Sequence, residues 1–136
     1  MRKVRVSSIR PLEPDRTVPL QENIIKFLPH VLELLAQAGQ NKTDIAILPE
    51  DYFFMAKVHE AVMLPCEITD RAGEIAKKFG MYIIFPVIEE REGKKYNASL
   101  IIDRNGSVIN RYDKTHLTTV EIEKMGLTPG DSLPDR

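Results

Sequence analysis

Two hydrophobic periodicities divide the chain. Val4, Val6 and Ser8 alternate with Arg5, Ser7 and Ile9 at the period of a short strand, and Pro11, Leu12, Glu13, Pro14 and Asp15 break it. From Leu20, the apolar residues Ile24, Leu28, Val31, Leu32, Leu35 and Ala38 recur at steps of three and four, and Gly39 follows, which predicts a long amphipathic helix. Pro29 lies inside that pattern. A proline there removes one backbone hydrogen bond and crowds the preceding turn, so a kink or break is expected near residues 26–28.

The residues from Asp44 to Leu48 are almost wholly apolar and run into Pro49, Glu50 and Asp51, the pattern of a buried strand opening into a polar loop. Further on, Thr69 is placed to cap a second helix whose stripe is Ile68, Ala72, Ile75, Ala76 and Phe79. Asp70 falls in its first turn, Lys77 and Lys78 in its last, and Gly80 just beyond. Residues 81–88 read as a third buried strand, and the charged residues 89–95 as a solvated turn. Residues 96–102 and 107–112 flank Asp103-Arg104-Asn105-Gly106, whose Asn-Gly pair favours a primed hairpin turn. The predicted order is β-α-β-α-β followed by an antiparallel meander, with no internal repeat and no linker. This is an α/β fold in a single domain.

The two buried strands are apolar on both faces, yet the two substantial helices are enough to cover only one face of such a sheet. Residues 128–136 form no element of their own. Together these features predict a partial domain over residues 1–136, the N-terminal portion of a larger layered fold with helices on one face of a mixed sheet.

Charge narrows the function. Across 136 residues, 19 basic side chains meet 20 acidic ones for a formal charge of −1. Binding to a phosphate backbone needs clustered Lys and Arg to release counterions, so a nucleic-acid partner is not expected. The longest apolar run, residues 81–88, is interrupted by Pro86 and falls far short of the ~20 residues that cross a bilayer. The basic start lacks the apolar stretch of a secretory signal. With a single cysteine, Cys66, no disulfide forms within the chain. The sequence reads as cytosolic and without membrane contact.

Glu50 lies just past the carboxyl end of a buried strand, where open α/β sheets place reactive groups, and partial burial there suits a general base. Lys114 follows the last hairpin strand and is placed to bring an ammonium to the same sheet edge, where it could stabilise an oxyanion. Read alone, each is equally well a solvated surface charge. Thr118 and Glu121 fit a capping box, which gives Glu121 a structural task and leaves Glu123 as the freer acid. Cys66 precedes a helix N-terminus but has no histidine near it in sequence, and it reads as a small buried thiol. His30, His59 and His116 lack the paired spacing of a metal site, and the seven glycines form no nucleotide-binding loop, so no metal or cofactor is expected.

In order and spacing, several segments resemble the nitrilase, or carbon–nitrogen hydrolase, superfamily. They are Ile45-Ala46-Ile47-Leu48-Pro49-Glu50, Ile68-Thr69 with its helix to Phe79-Gly80, Tyr96-Asn97-Ala98-Ser99-Leu100-Ile101-Ile102-Asp103-Arg104-Asn105-Gly106, Arg111-Tyr112-Asp113-Lys114-Thr115-His116-Leu117 and Pro129-Gly130-Asp131. The resemblance implies an αββα sandwich and a glutamate, lysine and cysteine acting on a small amide or nitrile. Glu50 would be the base and Lys114 the stabiliser of the tetrahedral intermediate. Glu123 fits the family's further glutamate, shortly before the Pro-Gly pair, better than Glu121. Asp113 stands where the family often has a basic residue. The family's nucleophilic cysteine lies downstream of the lysine in a Cys-x-Asp setting that this sequence does not contain, and Cys66 does not match it.

The leading expectation is therefore an N-terminal part of an amidase or nitrilase without its nucleophile, homo-oligomeric and inactive alone. A truncated relative serving as an interaction module is the alternative, and a flavodoxin-like module is disfavoured by the missing phosphate loop. Glu50 and Lys114 are expected to lie together, with Glu123 approaching them and Glu121 turned back toward Thr118.

Overall fold

The computed structural model describes residues 3–50, 52 and 60–131. Its elements are β1 (Val6–Ser8), α1 (Leu20–Gln40), β2 (Ile45–Ile47), α2 (Glu67–Phe79), β3 (Tyr82–Arg91), β4 (Lys94–Ile102), β5 (Val108–Asp113) and α3 (Thr119–Glu123). The expected loop residue Asp51 and the last part of the expected unstructured tail, residues 132–136, lie outside the described residues.

One five-stranded sheet runs in the order β1-β2-β3-β4-β5. Its first three strands are parallel and its last three antiparallel, as the sequence predicts. Sequential parallel strands with right-handed crossovers send both connecting helices to the same face. Accordingly α2 packs on β3 and β4, and α1 packs on α2. A methyl group on Gly39 would lie 2.3 Å from the Phe79 ring, so the bare backbone of α1 is what lets the two helices meet.

The register sorts the side chains. Ala46, Ile83 and Ile102 form one row across the sheet, with Phe85, Val87, Leu100 and Ala98 continuing the same face, and all are 1% exposed or less. Complete burial of the Ile, Phe, Val and Leu side chains among them stabilises the fold by about 1.5–3 kcal/mol each. The other face carries Val6, Ile45, Ile47, Tyr82, Ile84 and Ile101, none of them buried, with Val6 at 54% and Ile47 at 37% exposure. The two helices thus cover one face only.

Four local expectations are corrected. Helix α1 continues through Pro29 without a break: the carbonyl that loses its helix partner is that of Ile25, which is exposed to water, while Phe27, Leu28, Val31 and Leu32 stay buried on the other side. Helix α2 starts earlier, with Cys66 as its N-cap. Thr69 is in the first turn, its hydroxyl donating to the Cys66 carbonyl at 3.0 Å.

The primed turn occurs at Glu92 (φ 50°) and Gly93 (φ 75°) rather than at Asn105 and Gly106. Between β4 and β5, the Asp103 carboxylate accepts the backbone N–H groups of Asn105 and Ser107, each at 3.0 Å, and fixes a longer loop in which Gly106 alone takes a positive φ. Finally, of the charged residues 89–95 expected as a solvated turn, 89–91 and 94–95 are strand and only 92–93 form the turn. Glu89 is 2% exposed because Arg91 (2.8 Å) and Arg111 (2.6 Å) neutralise it.

Candidate active site

The site is built at a gap in the sheet. Strand β2 ends at Ile47, and its ladder closes with the Leu48 N–H donating to the Ile84 carbonyl at 3.2 Å. Among the described residues, the next contact along that side of β3 is the Val62 N–H to the Ile88 carbonyl at 2.9 Å. Pro86 lies midway between them, and by the period of two its nitrogen faces this same side. It has no N–H to donate, so a central strand tolerates it where the neighbouring ladder is open. Glu50 enters that opening. Tyr52, which is buried, anchors the chain just beyond by donating its hydroxyl to the Leu12 carbonyl.

Lys114 arrives from the opposite direction. Its backbone N–H donates to the Asn97 carbonyl at 2.9 Å, and its own carbonyl accepts from Gly130 at 3.0 Å, so both ends of the residue are pinned past the last β5 residue. Gly130 is required to be bare: an added Cβ would lie 2.5 Å from the Asp113 carbonyl oxygen. The Lys114 Nζ then donates to Glu50 Oε1 at 2.9 Å and to Glu121 Oε1 and Oε2 at 3.0 and 3.1 Å. Asn97 Nδ2 donates to the same two oxygens, Glu50 Oε1 at 2.8 Å and Glu121 Oε1 at 2.9 Å. Two donors and two acceptors close a four-membered ring of hydrogen bonds.

Burial acts against the charges of Lys114 and Glu121, and their partners outweigh it. Desolvation pulls Lys114 down, but the hydrogen bonds and charges of Glu50 and Glu121 raise its pKa above the ordinary lysine value. Burial pushes Glu121 up, but the Thr118 backbone N–H at 2.7 Å, the Asn97 amide and the Lys114 ammonium bring its carboxyl down to about 2. The site therefore holds an ammonium and an ionised glutamate at neutral pH, beside the more exposed Glu50, whose side chain is 61% accessible.

The Carbon-nitrogen hydrolase sequence profile matches residues 10–134. The chain belongs to the carbon–nitrogen hydrolase family. Among curated relatives, the omega-amidase NIT2 of Xenopus tropicalis is 31% identical over 113 residues, which cover 74% of this chain and 41% of the relative. The corresponding enzyme of Mus musculus is 30% identical over 130 residues, covering 85% and 47%. Two solved structures share the fold: a carbon–nitrogen hydrolase from Helicobacter pylori G27 (TM-score 0.69, 23% identity, 94% of this chain and 45% of that one) and an amidase from Nesterenkonia sp. (TM-score 0.68, 19% identity, 97% and 50%). The chain spans about half the length of the relatives it matches.

Placed in this family fold, the sequence-predicted residues divide. Glu50 and Lys114 meet, as expected. Glu123 does not reach them: it is exposed, whereas Glu121 is 8% exposed and in contact with Lys114. The expectation fails because a capping box and a site contact are compatible. One Glu121 oxygen, Oε2, accepts from Thr118, and both oxygens remain within reach of the ammonium. Cys66 sits at the head of α2 with its sulfur 3.6 Å from Thr69 Oγ1, on a helix that packs against the other face of the sheet.

Asn97, 6% exposed, enters the sequence reading only as part of the segment Tyr96–Gly106, with no role assigned to it. Its signal was an amide, a residue depleted in strands, beside the apolar positions Ala98, Leu100, Ile101 and Ile102. A cavity of about 410 Å³ opens beside the ring, lined by Ile47, Ile84, Pro86, Ser99 and Tyr112. Among the described residues, no group of three His, Cys, Asp or Glu could hold a metal ion.

Proposed function

We propose that these residues form the base-and-ammonium portion of an amidase-type hydrolase that cleaves a small, non-peptide C–N bond through a thiol nucleophile. The observation that carries this reading is the Lys114 Nζ held 2.9 Å from Glu50 and 3.0 Å from Glu121. An acrylamide adduct at the active site cysteine of the related Nesterenkonia amidase supports thiol chemistry on this fold. Cys66 is set apart as the N-cap of α2, so in this reading the nucleophile comes from outside these 136 residues, and residues 1–136 are the N-terminal part of the catalytic domain.

In the proposed reaction, Glu50 takes the proton of the thiol, and the thiolate adds to the amide carbon. The carbonyl oxygen gains negative charge beside Lys114, which stabilises it without giving up its proton. Collapse breaks the C–N bond, the amine leaves with the proton held by Glu50, and a thioester remains. Water deprotonated by Glu50 then releases the acid and regenerates the thiol. Glu121 holds Lys114 in place throughout and is the positioning carboxylate in place of Glu123.

A reducing, cytosolic setting suits an enzyme that depends on a free thiol. A second reading, a non-catalytic interaction module, is favoured by the uncovered face around Val6, Ile47 and Ile84. The test is ammonia release from small ω-amides and aliphatic nitriles by the complete gene product. Turnover lost by a thousandfold or more in Glu50→Gln and Lys114→Met supports the hydrolase, and turnover that survives both substitutions overturns this assignment of roles.

A further inference from the structure

We infer that Asn97 is a positioning residue that decides which oxygen of Glu50 acts as the base. The inference rests on Glu50 being the general base. Both donors that reach Glu50, the Asn97 amide at 2.8 Å and the Lys114 ammonium at 2.9 Å, converge on Oε1. Among the described residues no donor reaches Oε2. A carboxylate oxygen that already accepts two strong hydrogen bonds is the poorer proton acceptor, so the incoming proton goes to Oε2.

The lysine alone would not enforce this choice. An ammonium on a flexible four-carbon stem can serve either oxygen of a carboxylate, and Lys114 lies within reach of both Glu121 oxygens at 3.0 and 3.1 Å. Asn97 has no such freedom. It sits within β4 opposite Ile88, is 6% exposed, and has its backbone carbonyl committed to the Lys114 N–H. Its amide has two hydrogens, and one goes to each carboxylate. A neutral double donor also suits this place electrostatically. It separates two like charges while adding none, whereas a second cation would hold the proton off Glu50 too strongly for a base.

Nuclear magnetic resonance of the unaltered chain tests the arrangement without depending on turnover. The two Asn97 amide protons are expected downfield of free amides. On acidification one follows the Glu50 carboxyl carbon and the other that of Glu121. Amide protons at free-amide positions, indifferent to both titrations, overturn the inference.

In the complete enzyme, Asn97→Leu should lower kcat roughly tenfold or more with KM little changed. Asn97→Ser, which keeps one donor, should recover part of kcat. A change confined to KM, or a serine variant no better than the leucine variant, overturns it. Amide protons that titrate as described in a protein without hydrolase turnover would sustain the Asn97 geometry and overturn the hydrolase reading instead.

Discussion

Arg91 Nη2 lies 2.5 Å from Asp113 Oδ2, and Asp113 is the residue immediately before Lys114. Successive strand residues point to opposite faces, so the aspartate projects away from the site that the lysine enters. The departure from a basic residue at this position thus has a partner: Arg91 carries the positive charge, stacks over Tyr96 at 4.1 Å and also neutralises Glu89. Both members of the Arg91–Asp113 pair are more than three-quarters buried. A double-mutant cycle on Arg91→Ala and Asp113→Ala, read by urea denaturation, should give a coupling of about 1–3 kcal/mol, above the ~0–1 kcal/mol of an exposed pair.

The two acids of α3 separate cleanly in their expected effects. Glu121→Ala removes a cap and leaves Lys114 and Asn97 underpartnered, and it should cost roughly 2–4 kcal/mol. Glu123→Ala, at an exposed position, should stay within about 0.5 kcal/mol of the parent. Equal effects in thermal unfolding would show that the ring does not hold Glu121 as described.

Acid stability follows from the same carboxylate. Folding lowers the Glu121 pKa from 4.5 to about 2, so its contribution is complete above pH 4.5 and drains away as pH falls from 4.5 through 2. Lys114 is shifted the opposite way, upward, so its contribution is complete below 10.5 and is lost as pH rises past that value. Glu121→Gln should flatten the acid side of the stability curve between pH 4.5 and 2, measured by chemical denaturation at each pH.

At the head of α2, Cys66 has the extended backbone of an N-cap (φ −143°, ψ 162°) with a thiol in the place usually held by a hydroxyl. Cys66→Ser supplies the stronger acceptor for the first-turn N–H groups, and Cys66→Ala supplies none. The serine variant should match or exceed the parent by up to about 1 kcal/mol, and the alanine variant should fall below it.

For the 136-residue chain by itself, the sheet face bearing Val6, Ile47 and Ile84 predicts self-association. Contiguous apolar surface of this kind is normally covered. Sedimentation should show concentration-dependent oligomers, and ammonia release from simple amides should be undetectable. A stable monomer or measurable release would contradict these expectations.

Much of the architecture was legible because two periods run through the chain with little conflict. The stripe from Leu20 to Ala38 and the run from Ile45 to Leu48 specify a helix and a strand, although only Ala46 and Leu48 of that run are buried. What escaped was governed by contacts distant in sequence. Glu89 reads as a solvated charge until Arg111 comes alongside it from another strand. The turn chemistry of Asn105-Gly106 was overruled by the carboxylate of Asp103 and by Gly73, whose carbonyl would lie 2.5 Å from any Cβ on Gly106. Glu50 and Lys114 could be placed because each follows a strand end. The choice between Glu121 and Glu123 could not, because it turns on the direction in which a one-and-a-half-turn helix faces the sheet.

The hydrogen-bond ring joins residues of very different separation along the chain. Asn97, Lys114 and Glu121 belong to the antiparallel meander and to α3, within one stretch of local connectivity. Glu50 lies 64 residues from Lys114 and reaches it only after β2 has docked in parallel on β3. Parallel pairing across a long connection carries a loop-closure cost that local hairpins do not, and it comes late. On this topology the ammonium is expected to meet Glu121 before it meets Glu50. The contacts of Glu50 with Asn97 and Lys114 then close the ring last, so an ordered site is itself a signature that β2 has joined the sheet.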